Sequence, residues 1–269
     1  MDLGTILGLL IGFGGVFGGM MMEGGSIAAL ISPSAMLIVI VGTLGVGFVA
    51  FPLARMLGIV GVLKNAFFEK KHDGREIVEL LVQMSEQSRR EGLLSLESQA
   101  QSVADPFIKK GLLLMIDGAD PERLRSIMEI EIAAREERHE SGIAVLEALG
   151  GFAPTLGILG TVLGLINVLS HLQNTSGLGE KIASAFIATF YGVSTANLIY
   201  LPLASKLKAR MKHETLLNEM ALTGILAIQA GDNPRIVREK LNGFLAPKER
   251  SEGGTGGAGA RGGAERAAA

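Results

Sequence analysis

The stretch ALGGFAPTLGILGTVLGLINVLSHLQNTSGLG, Ala148 to Gly179, contains no Asp, Glu, Lys or Arg. Three further windows share that property: Leu3 to Met22, Gly24 to Ala54 and Ile182 to Ser205. A spanning helix needs roughly 20 mainly apolar residues to cross about 30 Å of hydrocarbon, and each window is long enough. Elsewhere the chain of 269 residues carries charge densely, although only 19% of it is charged overall. This uneven distribution predicts an all-α integral membrane protein with four transmembrane helices.

Several function classes drop out at once. The absence of cysteine removes a disulfide scaffold, and a net charge of -2 with four apolar windows argues against a nucleic-acid binder. The first window lacks the basic leader of a secretory signal and has no small-residue cleavage site before the next span. It reads as a retained span.

Of the 25 Lys and Arg residues, 13 lie between Leu53 and Glu147 and 11 from Ala204 onward, while Glu23 to Ile31 has none. Basic residues near span ends stay on the cytoplasmic side. The long middle segment and both termini are therefore expected inside. Four parts follow: spans one and two (1–52), a helical cytoplasmic domain (53–147), spans three and four (148–203) and a helical cytoplasmic segment (204–247). The Gly- and Ala-rich end, 248–269, is expected to be disordered.

Within 53–147, Ile77, Leu80, Leu81 and Met84 recur at helical spacing among charges, and no strand pattern appears. From Pro121, a good first helical position, the run ERLRSIMEIEIAAREERHESGIAVLEAL meets no breaker until Gly150 and Gly151. One helix is expected to run from this domain into the third span.

Gly4, Gly8 and Gly12 in the first span, and Gly157, Gly160 and Gly164 in the third, place small residues on one helix stripe. Such stripes let backbones approach closely in lipid, within one chain or between subunits. No span contains a carboxylate, and the ionisable His171, near the outer end of the third, reads as an interfacial side chain. An ion route normally needs an intramembrane acid. If this chain forms the wall of such a route, a partner supplies the acid.

Thr161 lies about 20 Å above Ala148, and Thr189 about 21 Å above Leu203, at roughly 1.5 Å per helical residue. The two hydroxyls share a depth. They suit partial replacement of a cation's water, or a bond to their own backbone carbonyls. Pro154 and Pro202 mark where the third and fourth spans meet the cytoplasmic side, as hinges or as static kinks.

Three ordered stretches, RREGLLSLE (Arg89 to Glu97), APTLGILGTVLGL (Ala153 to Leu165) and ATFYGVSTANLIYLP (Ala188 to Pro202), resemble the MotA-type flagellar stator proteins of the MotA/TolQ/ExbB superfamily. The likeness runs to about Pro247. It implies an ion-conducting stator subunit of the bacterial cytoplasmic membrane that couples Na+ or H+ flow to torque. Arg89, Arg90 and Glu97 resemble the family's rotor-facing charges, whose partner is the rotor protein FliG. Pro154 and Pro202 resemble its conformational prolines, and Thr161 and Thr189 its polar pore positions.

By the same resemblance the chain works with a MotB/PomB-type single-span protein, whose membrane aspartate binds the ion. Five copies of the chain, a pentamer, would surround a dimer of that partner in lipid. No cofactor beyond the transported ion is expected. Sodium-type members carry hydroxyls at both pore positions and some add a threonine just before the second, where this chain has Ala188. The hydroxyl at Thr161 favours sodium, and the departure at Ala188 leaves the ion open.

Two alternatives remain on this reading. An ExbB- or TolQ-type energiser of outer-membrane transport would have three spans and would lack RREGLLSLE. An enzyme would need a recognisable site, yet the sequence has no phosphate-binding G-x-x-x-x-G-K-[ST] loop and no HExxH pair. The chain is expected not to be an enzyme.

Overall fold

Four helices begin with the same local chemistry. Ser32-Pro33, Asp105-Pro106, Asp120-Pro121 and Asn233-Pro234 each place a side-chain acceptor just before a proline. Proline's fixed φ suits the first helical position, where its missing N–H costs nothing, and the preceding oxygen caps the next free amides. Thus Asp105 accepts from the N–H groups of Phe107 at 2.8 Å and Ile108 at 3.2 Å. Asn233 accepts from Arg235 at 3.0 Å.

The computed structural model describes residues 2–68, 73–171 and 177–250, and every regular element among them is helical. In chain order these are α1 (Leu3–Met22), α2 (Pro33–Ala50), α3 (Leu53–Phe67), α4 (Gly74–Glu91), α5 (Glu97–Ser102), α6 (Pro106–Ile116), α7 (Pro121–Ser170), α8 (Leu178–Gln229) and α9 (Pro234–Asn242). Four of them, α1, α2, α7 and α8, are long and apolar enough to cross a membrane. Most of the tail expected to be disordered falls outside the described residues.

The described residues divide into two compact units: 2–68 with 133–215, and 73–132 with 216–250. The first contains the apolar windows. It also takes in α3, whose Ala66 packs with Ile143 and Leu146 of α7 and with Leu203, Leu207 and Met211 of α8. The second unit is built around large side chains. Leu81, Met84, Phe107, Met128, Met220 and Ile225 are fully buried in one cluster. The period read from Ile77, Leu81 and Met84 is the buried face of α4, while Leu80 packs at its margin.

Gly150 and Gly151 do not interrupt α7, and neither does Pro154. In hydrocarbon a broken backbone leaves polar groups with no water to satisfy them, so helices persist through weak formers. Gly150 has a packing reason as well, because a Cβ there would lie 2.6 Å from Leu201 Cδ2. Thr155 Oγ1 bonds the Phe152 carbonyl at 2.7 Å next to the proline. In α8 the turn Ala196–Tyr200 widens to π geometry immediately before Pro202. The wider turn accommodates the proline ring, and the helix continues to Gln229.

Candidate functional site

Within the spans, α7 and α8 meet largely on backbone and Cβ atoms. A Cβ on Gly192 would lie 2.4 Å from the Ala153 carbonyl oxygen, and one on Gly157 would lie 2.9 Å from that of Ala188. A Cβ on Gly160 would lie 2.6 Å from Ala188 Cβ, and one on Gly164 would lie 2.5 Å from Ala185 Cβ. The stripe Gly157, Gly160, Gly164 therefore meets a second stripe, Ala185, Ala188, Gly192, with identical spacing and opposite direction. Sequence reading singled out the first and missed its mate. The matching spacing was the available signal.

This closeness brings the hydroxyls of Thr161 and Thr189 to 2.5 Å. Thr161 Oγ1 also lies 3.2 Å from the Gly157 carbonyl and 3.1 Å from that of Ala185, and Thr189 Oγ1 lies 3.3 Å from Gly157 O. Thr161 thus bonds a carbonyl of its own helix, Thr189 reaches across to the same carbonyl, and the two hydroxyls lie at one level. Four oxygens converge with only two hydroxyl protons among them, so the cluster is rich in acceptors. Both threonines are half-buried, leaving one side open. A hard cation seeks such an all-oxygen environment.

Ala188 is only 2% exposed and is filled in by Gly160 of α7 together with Ala35 and Val39 of α2. The position next to Thr189 is thus occupied by packing. Tyr191, one turn further, donates its hydroxyl to the Leu30 carbonyl at 2.5 Å and so ties α8 to the turn before α2. His171 follows the last residue of α7, is exposed, and places Nδ1 2.9 Å from the Asn167 carbonyl.

At the other end of this unit lies a charged cluster that sequence spacing gave no reason to expect. Asp2 caps α1 through the Thr5 amide at 3.2 Å, and its backbone N–H donates to Phe67 O at 2.8 Å. Its carboxylate pairs with Lys206 and Arg210 of α8, and Lys206 also donates to the Thr5 hydroxyl. The bond from Lys206, aided by the Thr5 amide and the charge of Arg210, holds the Asp2 carboxyl at about 2 against burial. One residue joins α1, α3 and α8.

In the other unit, α4 ends at Gly92, whose φ of +86° only glycine adopts without strain. A tight turn, Leu93–Leu96, leads into α5. Arg89 and Arg90 occupy the last turn of α4 and Glu97 opens α5. All three are exposed, and they form no ion pair with one another.

Comparison with known proteins accounts for this arrangement. The MotA/TolQ/ExbB proton channel family matches residues 99–220, and the motility protein A N-terminal family matches residues 6–92. Motility protein A of Bacillus subtilis is 38% identical over 251 residues, covering 93% of each chain. Chemotaxis protein PomA of Vibrio alginolyticus is 34% identical over 251 residues, covering 93% of this chain and 98% of that one. The solved C. jejuni MotAB structure superimposes with a TM-score of 0.89 at 29% identity, over 94% of this chain and 100% of that one. The flagellar MotAB stator complex of Bacillus subtilis gives 0.87 at 38% identity, over 91% and 96%. An ExbB- or TolQ-type energiser is not favoured. The chain belongs to the motility protein A family of MotA/TolQ/ExbB proton channels.

Proposed function

We propose that the chain is the ion-conducting stator subunit of a flagellar motor and that Thr161 and Thr189 line its cation route. The chain is a multi-pass protein of the inner membrane, as its four apolar helices and its family require. The observation that carries the pore assignment is the oxygen cluster of Thr161, Thr189, Gly157 and Ala185 in a wall with no carboxylate. The wall offers coordination but no proton acceptor, so the titrating acid belongs to a partner. The solved relatives are complexes with MotB, and a MotB/PomB-type single-span protein is the partner we assign here.

The copy number and the rotor contact assigned here rest on the family resemblance. The distribution of basic residues supports a cytoplasmic position for both termini. Five copies surround a dimer of the partner, and Arg89, Arg90 and Glu97 face FliG. One charge crossing 100 mV releases about 2.3 kcal/mol, several times thermal energy, so each transfer can bias the ring between orientations. Pro154, and Pro202 beside its π turn, are where α7 and α8 accommodate that change. Rotation needs no covalent chemistry, and the chain is no enzyme on this reading. Sodium is the favoured ion because proton transfer needs no coordinating hydroxyl at Thr161.

Thr189→Val keeps the side chain's shape and removes its oxygen. Reconstituted with its partner, the variant is expected to assemble normally and to lose ion uptake, while Thr189→Ser retains it. Uptake at the wild-type rate through the valine variant sinks the pore assignment. Swimming speed with and without sodium at fixed membrane voltage decides the ion.

A further inference from the structure

Exposed large apolar side chains are plentiful in the unit holding the spans, where lipid accounts for them. In the other unit, among the described residues, there are four: Leu94, Ile130, Leu216 and Ile236. Leu94 is the most open, at 74%. Along the chain it lies between the exposed Arg89 and Arg90 at the end of α4 and the exposed Glu97 at the start of α5.

The turn presenting Leu94 is fastened from beneath. Leu96, two residues on, is fully buried in the core. Ser95 Oγ donates to the Gly92 carbonyl at 2.7 Å, and Gln87 Nε2 donates to the Ser95 carbonyl at 3.1 Å. Gly92 supplies the positive φ that lets the chain reverse direction. A side chain on a backbone already fixed loses less freedom on docking than one on a loose loop.

We propose that Leu94 is the apolar anchor of the stator's contact with the rotor, seated in a shallow apolar pocket with an acidic group on one side and a basic group on the other. This rests on the reading of Arg89, Arg90 and Glu97 as rotor-facing. Charges at the edge of an interface raise the encounter rate and set register, whereas exposed ion pairs add little to lifetime. Lifetime comes from a desolvated centre ringed by polar groups. Arg89, Arg90 and Glu97 form the rim and Leu94 the centre. A single leucine gives a contact strong enough to carry load for one step yet weak enough to release.

The test compares Leu94→Ser, Leu94→Met, Arg90→Glu and Glu97→Lys in the full chain with its partner, in cells. Readouts are torque per stator, dwell time at the motor, and ion flux. Leu94→Ser is expected to shorten dwell time roughly tenfold, as loss of most of one leucine's burial implies, with flux unchanged. Leu94→Met should restore dwell time, and the charge reversals should stop swimming. Wild-type dwell time and torque in Leu94→Ser, alongside immotile charge variants, overturns the anchor and leaves the rotor-facing turn standing. Loss of flux in Leu94→Ser shows a structural role and overturns it too. Motility in both charge variants removes the underlying reading.

Discussion

The core of the second unit and the crossing of α7 with α8 in the spans hold together by opposite means. Residues 72–132 and 216–250 bury large side chains such as Phe107, Met115, Met128 and Met220, which water drives inward. Where α7 meets α8 in the spans, the contact is Gly157, Gly160 and Gly164 against Ala185, Ala188 and Gly192, nearly without side chains. Lipid offers no gain for hiding a leucine, so association relies on close approach of backbone dipoles and dispersion. Close approach is also what brings the Thr161 and Thr189 hydroxyls together. Glycine in one unit leaves room for the ends of neighbouring side chains, and at the crossing of α7 and α8 it sets a distance.

Matched substitutions in the two units test this most severely. A Cβ at Gly192 meets the Ala153 carbonyl oxygen at 2.4 Å and Gly157 Cα at 3.1 Å, both backbone, so only separation of the helices relieves it. A Cβ at Gly111 meets Ile225 Cδ1 at 2.7 Å and Met128 Cε at 3.1 Å, the far ends of flexible side chains. Alanine also favours a helix over glycine by about 0.5–1 kcal/mol. Gly192→Ala is expected to abolish swimming and ion flux. Gly111→Ala should swim, with stability within about 1 kcal/mol of wild type. If the two exchange places in a soft-agar assay, the comparison is wrong.

The next effect is a loss of stability rather than function. Phe107, fully buried in α6, should cost about 3–5 kcal/mol on truncation to alanine, because it leaves a cavity as well as losing transfer energy. Ile158, 58% exposed on a spanning stretch of α7, should cost little. Thermal unfolding of the purified chain in detergent would show a lower midpoint for Phe107→Ala and an unchanged one for Ile158→Ala. Equal shifts would mean that both units are stabilised by side-chain burial alone.

The same contrast explains what could be read beforehand. The spans were legible because charge is excluded from long windows, and the amphipathic face of α4 because Ile77, Leu81 and Met84 keep a helical period. The depth of Thr161 and Thr189 could be counted, since two antiparallel helices rise equally per residue. The Ala185, Ala188, Gly192 stripe escaped because alanine is unremarkable in a spanning helix until its partner is known. The widened turn at Ala196–Tyr200 follows from relief of Pro202 by its surroundings and leaves no periodic trace. Nor does periodicity join Asp2 to Lys206 and Arg210, which lie some two hundred residues apart and meet only through tertiary packing.

That cluster is where the spans depend on charge after all, and it yields the smallest expected effect. Asp2→Asn keeps an oxygen to cap Thr5 but gives up the charge that pairs with Lys206 and Arg210. Hydrogen bonds to charged groups contribute about 1.5–3 kcal/mol, and the partial exposure of all three side chains favours the lower end. The carboxyl's affinity for protons is lowered in the folded chain, from 3.8 to about 2. Its contribution is therefore fully present above pH 3.8 and is lost as pH falls through about 2. The gap between wild type and Asp2→Asn should be flat from pH 5 to pH 8 and narrow towards pH 2. Thermal midpoints in detergent at pH 7 and pH 3 measure it. A gap that opened on acidification would mean that Asp2 repels its surroundings, and that α1 is held to α8 by close packing alone.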